Sequence, residues 1–255
     1  MDIIEAIFLG IVQGLTEFFP VSSSGHLVLV KDILGIEQSI LFDVMMHVAT
    51  VVSIIIVFRK EIAALLKPPF KKLALLVIAS VPAAVAGYFL NGLIEDHLIG
   101  GLFLPFMFLI TAALLTVTEI VSKKRKKACR PLGIKSALIM GFAQSIAIIP
   151  GISRSGATIS AGVLSGAERE KAARFSFFMS IPIILGSAAY SLIKGGGIPD
   201  DISILPLVAG MIAAAVTGFF AINLMFKLIV KSNYKWFAIY LGVLFAASLI
   251  YYIVK

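Results

Sequence analysis

Six long apolar runs constrain the fold of this chain more than any other feature of its sequence. They are Leu41–Phe58, Leu73–Leu90, Gly101–Val121, Phe175–Ile193, Ile202–Phe226 and Trp236–Val254. Each run is close to the ~20 residues that a helix needs to cross ~30 Å of hydrocarbon. The 255-residue chain is 60% hydrophobic and 14% charged, and it lacks the short alternating strands of a membrane barrel. The runs predict an all-α polytopic membrane protein, with residues 1–255 forming one domain in the lipid bilayer.

The net charge of +8 is concentrated in short loops beside these apolar runs. Basic loops mark the cytoplasmic side of membrane proteins, so we expect no nucleic-acid partner. Asp2 and Glu5 stand where a signal peptide would carry basic residues, and we expect no cleaved leader. Cys129 is the single cysteine and excludes an intramolecular disulfide framework.

Two further apolar stretches, Ile3–Leu29 and Ser136–Leu164, are interrupted by proline, glycine and serine. The first contains EFFPVSSSGH (17–26), and the second contains PGISRSGAT (150–158). Broken helices are tolerated at membrane depth only where their freed backbone is buried in protein or lines a wet cavity. The interruptions therefore predict two re-entrant helical hairpins in addition to six transmembrane helices.

A shift of 131 positions aligns three separated segments of the chain with one another. The matched pairs include Gly10 with Gly141, Gln13 with Gln144, Ser22 with Ser153, Ser24 with Ser155, Gly25 with Gly156, Gly87 with Gly218, and Phe106 with Phe237. A register shared by separated segments predicts a duplicated unit, with one repeat over about 1–124 and a second over about 132–255.

The order of the loop charges reverses between the two repeats. In the first repeat a basic loop precedes Glu95 and Asp96, whereas in the second Asp200 and Asp201 precede a basic loop. If the run Lys123–Lys127 is cytoplasmic, three crossings per repeat place both termini outside. The sequence thus predicts an inverted-topology repeat, in which the two hairpins meet near the middle of the membrane.

The two polar clusters carry the chemistry expected of a phosphate site. Glu17, His26 and Arg154 are ionisable groups at membrane depth, where such groups are costly and by default functional. A guanidinium can hold phosphate oxygens bidentately, and each helix that resumes after a cluster points its positive N-terminal end at a bound anion. Further donors are the hydroxyls of Ser153, Ser155 and Thr158 and backbone N–H groups freed by the glycines. This combination predicts phosphoryl chemistry.

The motif Q-x-x-x-E (Gln13, Glu17) followed by PVSSSGH (20–26), together with PGISRSGAT (150–158), resembles undecaprenyl pyrophosphate phosphatases of the bacitracin-resistance type over essentially the whole chain. The resemblance implies removal of the terminal phosphate from this polyprenyl lipid, which recycles the monophosphate carrier for cell-wall synthesis. It also implies Mg²⁺ or Ca²⁺ as a cofactor, and a bacterial plasma (inner) membrane protein whose site opens to the outer face. The positions that it marks are Glu17, Ser23, His26, Ser153, Arg154 and Thr158.

The motif residues have expected roles in this site. The expected catalytic residues are Glu17, Ser23, His26 and Arg154. The expected phosphate-binding residues are Ser22, Ser24, Gly25, Ser153, Arg154, Ser155, Gly156 and Thr158. Glu17 is the expected metal ligand, and Gln13 stands where many family members have Glu. We expect His47 to be a packing group.

Two questions stay open from the sequence. Ser23 could be the nucleophile, with His26 as its base and Glu17 orienting the imidazole, or a water held by Glu17 and a metal could attack directly. An inverted repeat with broken helices is also transporter architecture, so a lipid flippase or other secondary transporter is the alternative function. The sequence does not decide between a monomer and a homodimer.

Overall fold

The computed structural model describes residues 1–97, 101–125, 130–194, 203–231 and 234–255, which form eleven helices and no strand. The helices are α1 (Ile3–Phe18), α2 (Ser23–Leu34), α3 (Ile40–Val57), α4 (Arg59–Leu65), α5 (Lys71–His97), α6 (Phe103–Lys124), α7 (Ile134–Ile146), α8 (Arg154–Leu164), α9 (Arg169–Lys194), α10 (Ile204–Lys231) and α11 (Lys235–Val254). Outside the described residues lie Lys126, Lys127, Cys129, Asp200 and Asp201, as do the side chains of Glu95 and Asp96.

Six helices are long and apolar enough to cross a membrane, which confirms the predicted all-α class and the six predicted spans. The crossing segments are Ile40–Val57, Lys71–Phe89, Phe103–Lys124, Arg169–Lys194, Ile204–Leu228 and Lys235–Val254. Their outer faces expose large apolar side chains such as Phe220 and Val243. Lipid is the solvent that makes such surfaces favourable, so the protein is a multi-pass membrane protein.

The two interrupted stretches form helical hairpins, α1–α2 and α7–α8. Their helices have 16, 12, 13 and 11 residues, and at 1.5 Å per residue even the longest spans only about 24 Å. Pro20 lies in the turn of the first hairpin, and Pro150 and Gly151 lie in the turn of the second. Proline and glycine end helices at these points because they remove a donor or favour a turn.

Serine caps restart the helix at the same point of each hairpin. The Ser22 hydroxyl accepts the Gly25 N–H at 3.2 Å, and the Ser153 hydroxyl accepts the Gly156 N–H at 3.0 Å. An N-cap serine satisfies one of the donors that a helix start leaves free. Ser22 also has a φ of 70°, which lies in the left-handed region that residues with a side chain rarely adopt. The first hairpin therefore holds backbone strain beside its polar cluster.

The first helix of each hairpin packs on a helix from the other half of the chain: α1 lies along α10, and α7 lies along α5. Glycines permit both approaches. A Cβ atom on Gly10 would lie 2.9 Å from the carbonyl carbon of Gly210, and one on Gly141 would lie 3.1 Å from that of Ala79. Any side chain at either glycine would have to push the helices apart, so the close packing depends on both positions.

Charged side chains collect at the two ends of α11. At its start, the Glu119 carboxylate accepts Arg169 Nη2 at 2.9 Å and the Tyr234 backbone N–H at 3.0 Å. At its other end, Lys255 Nζ donates to Asp32 Oδ1 at 2.7 Å. The ion pairs thus lie where polar headgroups and water would meet the helix ends, outside the apolar middle.

Candidate active site

Both hairpins contribute side chains to one cavity of about 250 Å³, which α3 and α9 complete. Its lining residues are Glu17, Ser22, Ser23, Ser24, Val44, His47, Gln144, Ala147, Ile148, Ile152, Ser153, Arg154, Ser155, Ile183, Ile184 and Ser187. The N-terminal ends of α2 and α8 face this space, and each carries a positive partial charge. The expected meeting of the two polar clusters is therefore present, and the cavity is suited to an anion.

A buried carboxylate, Glu17, lies at the centre of the polar wall and is 5% exposed. Its Oε1 accepts Arg154 Nη2 at 2.5 Å. Its Oε2 accepts the Ser23 hydroxyl at 2.7 Å and Gln13 Nε2 at 2.7 Å. A buried charge is strongly unfavourable unless it is paired and hydrogen-bonded, and these contacts satisfy both oxygens. The Ser23 hydroxyl is therefore directed at the Glu17 carboxylate.

Arg154 is the first residue of α8, so its side chain extends from the N-terminal end of that helix. Beyond its ion pair with Glu17, Arg154 donates through Nη1 to the Ser176 carbonyl at 3.4 Å. The guanidinium thus has two anchors and still lines the cavity. Because its five N–H donors exceed these contacts, it retains donors for a phosphate.

His47 on α3, which we expected to be a packing group, lines the cavity beside Glu17. Its Nδ1 lies 2.7 Å from the Asp43 carbonyl oxygen. Because a carbonyl oxygen can only accept, Nδ1 carries the proton of this hydrogen bond. Its Nε2 lies 3.5 Å from Glu17 Oε2, and the ring lines the cavity. The available signal was an ionisable residue inside an apolar run, which we applied to Glu17, His26 and Arg154 but not to His47.

His26, the expected base for Ser23, is held by other partners. Its Nδ1 lies 2.7 Å from the Ser22 carbonyl oxygen, and its Nε2 lies 2.7 Å from the Tyr240 hydroxyl on α11. The Tyr240 ring also stacks on the imidazole, with a centroid distance of 5.7 Å. Since Ser23 donates to Glu17 instead, the expected Ser23–His26 hydrogen bond is absent from these described contacts.

The other predicted phosphate-binding residues divide into two groups. Ser22, Ser24, Ser153 and Ser155 line the cavity. Gly25, Gly156 and Thr158 are not among its described lining residues. The two glycine N–H groups bond the capping serines, and Thr158 Oγ1 donates to the Arg154 carbonyl at 2.8 Å. Gly25, Gly156 and Thr158 therefore stabilise the hairpins that position the cavity-lining serines.

The donor set fits a divalent cation that shares its coordination with phosphate. The described residues contain no group of three acidic, histidine or cysteine side chains. Gln13 Oε1, however, is a buried oxygen with no partner among the described residues, beside the Glu17 carboxylate. Mg²⁺ is commonly held by one or two carboxylates plus substrate phosphates. Glu17 and Gln13 Oε1 are therefore the groups that would hold such an ion together with substrate phosphate.

Comparison with known proteins gives matches along almost the whole chain. The family model of bacitracin resistance protein BacA matches residues 6–247. A relative from Christiangramia forsetii is 44% identical over 265 residues, which cover 98% of each chain. One from Carboxydothermus hydrogenoformans is 40% identical over 249 residues, covering 96% of this chain and 95% of the relative. One from Methanobrevibacter smithii is 36% identical over 262 residues, covering 94% of each. All three are named undecaprenyl-diphosphatase.

Proposed function

The chain belongs to the bacitracin resistance protein BacA family, and on this premise we propose that it is an undecaprenyl-diphosphatase. It hydrolyses undecaprenyl pyrophosphate to undecaprenyl phosphate and inorganic phosphate. The observation that carries this function is the arrangement in one cavity of a serine hydroxyl, a buried carboxylate and an arginine below two helix N-termini. A flippase also needs anion donors, but it has less use for a hydroxyl donating to a buried carboxylate.

Arg154 and the two helix N-termini bind the terminal phosphate in this proposal. Charge on the transferred phosphoryl group is what a phosphatase must stabilise, because the transition state spreads it over three oxygens. The guanidinium fork matches two of these oxygens, and the N-terminal ends of α2 and α8 add positive potential. A divalent cation, Mg²⁺ or Ca²⁺, supplies further charge compensation when bound, and Glu17 with Gln13 Oε1 would hold it.

Ser23 is the proposed nucleophile, and Glu17 is its general base. Ser23 Oγ attacks the terminal phosphorus while its proton passes to Glu17 Oε2, 2.7 Å away. The bond from phosphorus to the bridging oxygen breaks, and undecaprenyl phosphate leaves from a phosphoserine. Water then attacks the phosphoserine and its protons leave with the inorganic phosphate, while Glu17 returns its proton to Ser23 Oγ and restores the hydroxyl. His47 Nε2 lies 3.5 Å from Glu17 Oε2, so the imidazole borders the carboxylate that takes this proton.

The two halves of the chain form an inverted-topology repeat in this proposal, with α1–α2 and α7–α8 as re-entrant hairpins. Support comes from the packing pairs: Gly10 meets Gly210 and Gly141 meets Ala79. The 131-residue offset converts one pair into the other, because it places Gly10 on Gly141 and Ala79 on Gly210. The short helices and the matched serine caps agree with it. Both termini then lie outside the inner membrane, and the cavity opens to the outer face.

Cysteine labelling tests this topology. In a Cys129→Ser background, Lys60→Cys and Lys124→Cys should be protected from a membrane-impermeant maleimide in intact cells, whereas Gln38→Cys should react. These residues lie at helix ends where the reversed loop charges predict opposite sides. Each variant should keep phosphatase activity as its control. Labelling of Lys60→Cys and Gln38→Cys from the same side would contradict the three-crossing repeat.

Phosphate release from undecaprenyl pyrophosphate by the purified protein in detergent tests the function itself. We expect one phosphate per substrate, loss of activity in a chelator, and recovery on addition of Mg²⁺ or Ca²⁺. Recovery would support the cation, and chelator-insensitive release would remove it from the proposal. Transfer of intact lipid between the leaflets of liposomes, with no phosphate release, would favour the flippase.

A further inference from the structure

Gln144 is a buried polar side chain to which neither the motifs nor the mechanism above gives a role. It lies on α7, is 1% exposed, and lines the same cavity as Arg154. Neither its Nε2 nor its Oε1 has a hydrogen-bond partner among the described residues. A buried amide without partners is unfavourable by several times the thermal energy, so native proteins rarely keep one without a reason.

The 131-residue offset shows how Gln144 comes to have no partner. Its counterpart Gln13 donates to Glu17, one helical turn later, at 2.7 Å. One turn after Gln144 the chain has Ile148, which offers no polar atom. The second hairpin thus retains the glutamine of the first hairpin but lacks its carboxylate. The Gln144 amide is left facing the cavity.

The chemistry of this part of the cavity selects an anionic ligand for that amide. The polar groups of the cavity wall on the second hairpin are the guanidinium of Arg154, the hydroxyls of Ser153 and Ser155, and Gln144. They carry positive charge or donors and no carboxylate. An amide NH₂ supplies two donors without a charge, which suits a non-bridging phosphate oxygen.

We propose that Gln144 is a substrate-binding residue whose side-chain NH₂ donates to a phosphate oxygen of the diphosphate. The proposal rests on the proposed function and assigns this residue a contact with the bound substrate. The contact exists in the ground state and in the transition state, because the phosphate oxygens persist through both. Its loss therefore raises KM and leaves kcat nearly unchanged.

Gln144→Leu tests the proposal because leucine removes both polar atoms and nearly keeps the volume. The substrate for this test is farnesyl pyrophosphate, a shorter polyprenyl pyrophosphate. We expect KM to rise roughly 10–100-fold, the usual effect of losing a hydrogen bond to a charged group. The value of kcat should stay within about threefold of the wild type. The thermal unfolding midpoint of the substrate-free protein should stay equal or rise, since an unsatisfied amide has been removed. A purely structural glutamine would instead give a lower midpoint and an unchanged KM.

Ser160→Ala is the matched control. The Ser160 hydroxyl is fully buried and has no partner among the described residues, but Ser160 is not among the described lining residues of the cavity. Its removal should leave KM and kcat unchanged, and a raised KM in this control would overturn the proposal.

Gln144→Met gives a second apolar replacement in case leucine does not fit. A folded Leu or Met variant with wild-type KM would overturn the proposal, and so would failure of both variants to fold. Wild-type protein that releases no phosphate from either lipid would overturn the proposed function first. If the wild-type protein is active and the variants keep its KM, only the role of Gln144 would be overturned.

Discussion

Replacement of Arg154 by lysine is expected to slow phosphate release roughly 10²–10³-fold, the usual effect of losing one preorganised donor to a developing oxyanion. Lysine keeps the positive charge beside Glu17 but loses the planar fork that holds two phosphate oxygens. The protein should still fold, because the buried carboxylate keeps a cationic neighbour. Steady-state release of phosphate from undecaprenyl pyrophosphate by purified protein in detergent measures the effect.

Arg174→Lys is the matched control for this experiment. Arg174 on α9 also pairs with carboxylates, Glu61 and Glu170, but lies outside the cavity. Its replacement should change the rate by less than about threefold, since exposed ion pairs contribute little. Near-normal turnover by Arg154→Lys would remove Arg154 from phosphate binding and leave that role to the helix N-termini.

The Ser23→Ala variant is expected to lose activity by roughly 10³-fold or more, because it lacks the nucleophile of the covalent route. An acid quench of the wild-type enzyme during turnover should capture phosphate on Ser23. Ser80→Ala is the control, since the Ser80 hydroxyl donates to the Leu76 carbonyl within α5 and lies outside the cavity. Its activity should equal that of the wild type.

Two further variants identify the base that serves Ser23. Glu17→Gln should lose about as much activity as Ser23→Ala, because Ser23 donates to Glu17. His26→Ala should lose about tenfold, as expected for a residue held by Tyr240 and the Ser22 carbonyl. A larger loss in His26→Ala than in Glu17→Gln would restore His26 as the base.

The stereochemical course at phosphorus separates the two routes independently of these rates. Two successive displacements retain configuration at a chiral terminal phosphorus, and one direct displacement inverts it. Inversion, together with appreciable turnover by Ser23→Ala, would rule out the serine route. The nucleophile would then be a water held by Glu17.

The transmembrane helices could be predicted closely because hydrocarbon thickness sets their length. The span predicted from Trp236 to Val254, for example, is the helix from Lys235 to Val254. The meeting of Glu17 and Arg154 also followed from sequence, since two broken helices related by one offset are expected to face each other. The first inference uses the length of a local stretch, and the second uses the similarity of two stretches 131 positions apart.

The partners of the histidines could not be predicted in the same way. The S-x-x-H spacing from Ser23 to His26 fits neighbours on one helical turn, but Ser23 begins α2 and its hydroxyl reaches back to Glu17. Tyr240, which holds His26, lies 214 positions away. No local spacing encodes such a contact, and the same is true of His47, which reaches Glu17 from a separate helix.

The packing of α1 on α10 also has a consequence for biosynthesis. α1 ends at Phe18 and its partner begins at Ile204, so most of the chain is translated between the two. At about 5–20 residues per second, α1 waits roughly 10–40 s after its own synthesis before its partner begins to emerge. Until α8 is made, the first hairpin holds Glu17 in the nascent chain without Arg154. Slower translation lengthens this interval, so the Glu17 carboxylate stays in the nascent chain without its ion-pair partner for longer.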